Sequence, residues 1–320
     1  MNKSFTNANW SAHAKTYQKF SSLMTFWARD TLQIAHHRLL PLMEQHKSKQ
    51  ESEAALTDYE AAPFHFLDVG CGPGTLTFEI AQRYLSASAP TDIRITATDL
   101  SDGMLQQLSE QLKDDPSLHE FASKVTTIQM DGLTLDKVES GSVDVVGSTF
   151  GLSIFPDRTR GWASAHRVLK DDGLLMVTAW GDHSTQMGWW DALTELYNAA
   201  GGVEDDPIAL PSVTAGSDRE RVLKELQAVG FRNVEVYHTT HTIVINDPKS
   251  MLQASMKNPF GAKFLERLPL DQTESTLLSW LERDAAPNYF QGEQTSGTAN
   301  VADGRPRLVP FSSYIIVAQK

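Results

Sequence analysis

The segment His65-Phe66-Leu67-Asp68-Val69 runs directly into Gly70-Cys71-Gly72-Pro73-Gly74, and this junction limits what the chain can become. A short apolar run of this length reads as a buried strand. Glycines lack a Cβ, so the loop can turn tightly and a ligand can lie against its backbone. Beyond it, Leu76, Ile80, Ala81, Tyr84 and Leu85 recur with helical period. A helix that starts there offers free N–H groups and a positive dipole end. A nucleotide-like ligand can therefore dock at the strand's carboxyl end.

The same rhythm continues. Ile93 to Thr98, Val125 to Met130, Val143 to Ser148 and Gly173 to Trp180 read as strands, and Met104 to Leu112 and Trp162 to Leu169 as helices. Alternating strands and helices predict an α/β fold with a parallel sheet covered on both faces. Asp218 to Val229 reads as a further helix, Phe231 to Thr240 as a strand, and the terminal SSYIIVAQK as the last strand. Residues 1–62 are expected to form an N-terminal helical lid and a linker, with Glu44 to Ala62 as the polar connection. Residues 63–180 form the expected core. Residues 181–320 hold two irregular insertions with the last helix and two strands of the same sheet. The insertions are too long for ordinary connections and are expected to cap a site or to form an interface.

A chain of 320 residues is long enough for one large α/β domain with insertions. The net charge of −12 disfavours a nucleic-acid partner, which would call for a basic face. The single cysteine, Cys71, rules out an intrachain disulfide and fits a reducing compartment, so a cytoplasmic location is the default expectation. The opening residues lack an apolar stretch, so no secretory signal is expected there, and no apolar run is long enough to span a bilayer.

The glycine loop departs from the dinucleotide fingerprint, because its third glycine comes one residue early. Asp68 stands where a carboxylate would repel a pyrophosphate and would welcome a cationic amino-acid end. Asp99 ends the second strand, where a carboxylate can accept from both ribose hydroxyls. Asp131 ends the third, where it could accept from an adenine amine while Met130 packs on the ring; alone, it would read as a plain turn.

These residues resemble the class I S-adenosylmethionine (SAM)-dependent methyltransferases, in the ubiquinone/menaquinone-methyltransferase-like, small-molecule branch. The matching segments are DVGCGPG, TDLSDGML, QMDG, SVDVVGSTFGL and HRVLKDDGLLMVTAW, in the family's order between Phe64 and Trp180. Asp171-Asp172 replaces the usual Pro-Gly before Gly173. The resemblance implies a Rossmann-like seven-stranded sheet, mostly parallel with one antiparallel strand, and SAM as cofactor with S-adenosylhomocysteine as product. It implies that Asp68, Gly70, Cys71, Gly72 and Gly74 cradle the methionine part. Asp99 would hold the ribose, Leu100 and Met104 would flank the adenine, and Met130, Asp131 and Gly132 would border it. Ser148 to Leu152, with Ser148 and Phe150, would line the cleft near the methyl.

A methyl acceptor that carries a proton needs a base. His183, which opens the first insertion, is the candidate; His36, His37 and His166 are weaker ones. Tyr17, Phe20 and Trp27 are expected in the lid, and Tyr17, Trp27, Phe150, Trp189 and Trp190 to wall a pocket for a small, apolar or aromatic acceptor. Three other readings stay open: a protein methyltransferase, a non-catalytic SAM-binding regulator, and an NAD-dependent oxidoreductase. No metal site is expected.

Overall fold

The computed structural model describes residues 6–54, 62–85, 91–181, 188–201, 218–245, 247–257, 259–280 and 307–320. The strands are β1 (Phe64–Val69), β2 (Ile93–Asp99), β3 (Val125–Gln129), β4 (Val143–Thr149), β5 (Leu169–Trp180), β6 (Arg232–Ile245) and β7 (Arg307–Gln319). They form one sheet in the order β3-β2-β1-β4-β5-β7-β6. All neighbours are parallel except β7, which is antiparallel to both β5 and β6. The order reverses between β1 and β4, so the carboxyl ends of these two strands flank a crevice.

Alternation along each strand divides the core. Phe64, Phe66, Ile95, Ala97, Val145, Met176, Ile315 and Val317 pack on one face with α2 (Thr25–Ala54), α3 (Thr75–Tyr84) and α4 (Asp102–Asp114). Leu67, Val69, Val146, Leu175, Val177 and Ile316 pack on the other with α5 (Arg158–Val168) and α7 (Arg219–Val229). Continuous burial of β1 and β4 explains their apolar sequences.

Three expectations need correction. The N-terminal helices extend further than expected: α1 (Asn7–Ser21) is followed by a 3-10 turn at Ser22–Met24, and α2 then runs through Pro41 to Ala54. Glu44 to Ala54 is thus helix, where a polar connection was expected. Its outer face carries charges such as the Lys47–Glu51 pair, 3.9 Å apart and one turn from each other, so it shows no apolar stripe. Meanwhile Ala28, Leu32, Ala35, Leu39 and Met43 bury α2 against the sheet.

The insertions are helical where they are described. They contain α6 (Gly188–Ala200), α8 (Pro248–Met256), α9 (Pro259–Phe264) and α10 (Leu270–Trp280). Leu193, Tyr197, Leu252, Met256, Phe264, Leu277 and Trp280 gather into one cluster with Ile245 and Val309, so the two insertions share a core.

The last expected strands were too short. β6 and β7 pair in register from Glu235↔Val317 to Ile245↔Arg307. At Asp171-Asp172, the strand bulges between the pairs Val143↔Leu169 and Val145↔Leu174. Asp172 takes a left-handed φ of 66°, which aspartate tolerates better than most residues.

Candidate functional site

The crevice is built by the β1–α3 loop. Gly70, Gly72 and Gly74 have φ of 66°, 54° and 102°, a region that costs other residues a Cβ clash. At Gly70 a Cβ would stand 3.2 Å from Gly151 Cα, because the loop after β4 approaches this closely. The Cys71 N–H donates to Thr98 O at 2.9 Å, which fixes the loop to the end of β2. The Cys71 thiol is buried, and burial together with Asp68 and Asp99 pushes it well above its ordinary range, so it is inert.

Two carboxylates flank the loop. Asp68 is wholly buried; its Oδ2 accepts from Thr77 Oγ1 at 2.7 Å, while Oδ1 has no hydrogen-bond partner. Burial is the main cause that pushes its carboxyl up to about 7, against the pull of Thr77. Asp99 accepts from the Gly72 N–H at 2.9 Å and from the Ser101 N–H at 2.8 Å. Burial raises its pKa too, and the backbone donors lower it.

Tyr17, Ser21, Met24, Asp68, Gly70, Cys71, Gly72, Pro73, Thr75, Leu76 and Thr149 enclose a cavity of about 30 Å3. Pockets that hold small ligands measure ~300 Å3 or more. The cavity is this small because α1 lies across its mouth. A Cβ on Gly72 would stand 3.8 Å from Tyr17 Cε1. Loss of water and the nearby Asp99 push the Tyr17 hydroxyl up to about 12. Ser11 fastens α1 to the first turn of α4: its hydroxyl lies 2.8 Å from Ser101 Oγ and 2.6 Å from Asp102 Oδ1, and accepts from the Gly103 N–H.

The remaining expected residues fall into distinct roles. Met104 is buried behind Ser101, whose hydroxyl caps α4 by accepting from the Met104 N–H. Leu100 is half-buried beside Asp99, and its carbonyl accepts from Gln129 Nε2. Met130 is buried and its sulfur accepts from the Lys137 N–H. Asp131 closes a turn by accepting from the Leu133 N–H at 2.9 Å. Gly132 is held by close packing, since a Cβ there would meet Phe155 Cε2 at 2.5 Å. The Ser148 hydroxyl donates to Val69 O at 2.6 Å and accepts from the Leu152 N–H at 2.8 Å. It clips the β4 loop to the end of β1.

Phe150 takes a left-handed φ of 60°, an outlier for an aromatic residue and the kind of strain found at functional sites. It stacks on Trp180 at 4.1 Å, and Trp27 meets it edge-on at 5.6 Å. Phe311 and Met24 complete this cluster. Trp190 lies elsewhere, half-buried against Phe264 in the core that the two insertions share. His183 and the side chains of Phe20 and Trp189 fall outside the described residues.

Of the other histidines, His36 approaches the Tyr84 hydroxyl, His37 approaches Glu235, and His166 packs edge-on to Phe231 on the far face of the sheet. Thr149, within the expected Ser148 to Leu152 segment, lines the cavity; the sequence reading missed Thr77, Trp180, Phe311 and the pair His241–Asp30, joined at 2.8 Å by His241 Nε2 and Asp30 Oδ2. Among the described residues, no three His, Cys, Asp or Glu side chains gather as a metal-binding group. No described helix is long and apolar enough to cross a membrane.

The methyltransferase domain family matches residues 66–173, the span that carries β1 to the start of β5. A malonyl-[acyl-carrier protein] O-methyltransferase of Geobacter sulfurreducens is 32% identical over 183 residues, which are 55% of this chain and 58% of that protein. The chain thus spans less than two thirds of that relative. A ubiquinone/menaquinone biosynthesis C-methyltransferase UbiE of Geotalea uraniireducens is 28% identical over 183 residues, or 54% of this chain and 73% of that one. The solved YcgJ protein of Bacillus subtilis superposes with a TM-score of 0.48 at 15% identity, covering 81% of this chain and 92% of that one. The glycine loop and the carboxylates at the ends of β1 and β2 lie inside the matched segment, so residues 66–173 of this chain carry a methyltransferase domain.

Proposed function

We propose that this chain transfers a methyl group from SAM to a small organic acceptor with an apolar or aromatic body. The observation that carries the reading is Asp68 Oδ1, a buried and unpartnered carboxylate oxygen on the wall of a glycine-lined cavity. Such an atom costs free energy until a donor reaches it, and a ligand with an ammonium end supplies one.

The residues present fit that cofactor. Asp68 takes the amino-acid end, the Gly70–Gly74 backbone lies against the chain that follows it, and Asp99 accepts from the ribose hydroxyls. Leu100, Met104, Met130, Asp131 and Gly132 border the base. SAM, when bound, supplies a methyl already activated on a sulfonium. The protein's own work is alignment and exclusion of water. Helix α1 serves as a lid: Tyr17 closes the mouth of the cavity and Ser11 fastens it. Trp27 stands edge-on to the stacked pair Phe150 and Trp180, and this aromatic cluster adjoins Thr149, which lines the cavity.

The resemblance to a malonyl-[acyl-carrier protein] O-methyltransferase supports a second reading, in which the acceptor is tethered to a carrier protein. Methyl-labelled SAM offered with free quinols, phenols, amines and carboxylates, and separately with an acylated carrier protein, tests both. Label on a free small molecule supports the first reading and label on the carrier alone the second. Calorimetry that detects no uptake of S-adenosylhomocysteine overturns the assignment.

A further inference from the structure

The aromatic cluster contains a feature that packing does not explain. Trp27 is fully buried, yet its indole N–H has no hydrogen-bond partner. The Thr149 hydroxyl, at the end of β4, is also buried without one. Either could have been replaced by an apolar residue at no loss of packing. An indole N–H only donates, so whatever satisfies Trp27 must bring an acceptor atom. Asp68 Oδ1, at the neighbouring cavity, has the opposite need.

His241 stands beside the same indole. Its ring meets Trp27 edge-on at 5.2 Å and stacks on Phe26 at 5.2 Å. Its position opposite Phe311 on β7 lies at the rim of the sheet, on the edge where β5 ends at Trp180. Asp30 on α2 holds Nε2 at 2.8 Å, which keeps Nδ1 free to receive a proton. Of the charged groups on α2 and β6, Asp30 is the one in ion-pair range of His241 among the described residues. His37, Arg38 and Glu235 form a separate group further along the same helix and strand.

We infer that the methyl acceptor bears an acidic hydroxyl on an apolar ring or chain. Its oxygen is received by the Trp27 indole N–H, and its proton is taken by His241, held in place by Asp30. This rests on the methyl-transfer reading above. The balance is simple: the acceptor's O–H bond breaks and its proton passes to His241 Nδ1. An O–CH3 bond forms as the methyl–sulfur bond breaks, and that bond's electron pair stays on sulfur. The imidazolium is stabilised by the Asp30 carboxylate until it releases the proton to solvent, since both side chains are about a quarter exposed, 27% and 29%.

The test uses the full chain labelled with nitrogen-15 tryptophan and saturated with S-adenosylhomocysteine. One indole N–H resonance, assigned by its loss in Trp27→Phe, should move on titration with 4-propylphenol and stay in place with 4-propyltoluene. In turnover with methyl-labelled SAM, His241→Asn should lower kcat on 4-propylphenol by about 100-fold. It should remove the rising limb of the kcat/KM profile with pH, and cost less than about threefold on pentafluorophenol, which is already ionised. His241→Gln and Asp30→Asn should follow the same pattern, with affinity for S-adenosylhomocysteine unchanged in all three. An unmoved Trp27 resonance in the loaded protein overturns the proposal, as does an equal response to the toluene. Phenol binding without label transfer, or equal losses on both phenols, overturns the role of His241. Failure to bind S-adenosylhomocysteine would instead overturn the methyl-transfer reading.

Discussion

The Asp99 carboxylate accepts the Gly72 backbone N–H at 2.9 Å, so one side chain both holds the glycine loop and stands at the tip of β2. Removing it acts on the loop and on the ligand together. A hydrogen bond to a charged group contributes about 1.5–3 kcal/mol. Asp99→Ala should therefore weaken S-adenosylhomocysteine binding by about 10- to 100-fold, read by calorimetry. A change within about twofold would remove Asp99 from the ribose site.

The glycines of the loop should separate fold from binding. At Gly74, φ is 102° and a Cβ would meet Phe78 Cζ at 2.8 Å and Leu108 Cγ at 2.9 Å. Gly74→Ala should cost on the order of 3 kcal/mol of stability and lower Tm by several degrees. At Gly72 the nearest group is Tyr17 Cε1 at 3.8 Å. Gly72→Ala should lose only about 1–2 kcal/mol from its left-handed backbone, but should weaken ligand binding more than that loss explains. Thermal melts with and without S-adenosylhomocysteine measure both effects.

The Asp68 carboxyl, raised to about 7 by burial, gives binding a pH dependence. Its folded pKa lies above the ordinary value of about 3.9, so in the free protein the carboxylate that would receive the ligand's ammonium becomes the main form as pH rises through about 7. Affinity for SAM should rise as pH passes through 7 and fall again as the ligand's amino group deprotonates, at about 7.7–8.0. Asp68→Asn should bind more weakly and lose the rising limb. A wild-type affinity flat from pH 6 to 7.5 in calorimetry would contradict the assignment of Asp68 to the ammonium.

Ser11 should control exchange rather than affinity. The cavity is too small for a nucleoside unless α1 moves, and Ser11 fastens α1 to Ser101, Asp102 and Gly103, beside Asn7, whose Oδ1 accepts from the Asp102 N–H. A net hydrogen bond contributes about 0.5–1.5 kcal/mol. Ser11→Ala should speed both association and dissociation of S-adenosylhomocysteine by about 2- to 10-fold in stopped-flow fluorescence. Unchanged rates would mean that α1 is no lid.

Much of the core was legible because its signals are local. The apolar run ending at Val69, the three glycines and Asp99 sit within short segments whose chemistry follows from residue type and order. The positive φ angles of Gly70, Gly72 and Gly74 fall where that glycine pattern calls for a tight turn. The continuation of α2 from Glu44 to Ala54 was not legible, because beyond Met43 none of its described side chains is buried and no apolar stripe marks it as helix. The helices of the insertions were hidden because the residues that bury them are shared between two separate segments of the chain.

The contrast is sharpest at the pair Asp30 and His241. Asp30 and His241 are 211 positions apart in the chain, and neither lies in a motif. The order of residues decided the glycine loop, its flanking strand and helix, and the carboxylates at the strand tips, because backbone freedom and hydrogen-bonding capacity are properties of individual residues. Only the packed sheet decided that α2 would cross it beside β6 and bring Trp27, Phe150, Trp180 and His241 together. Side-chain proximity over such separations exists only once a folded core fixes the relative positions of its elements.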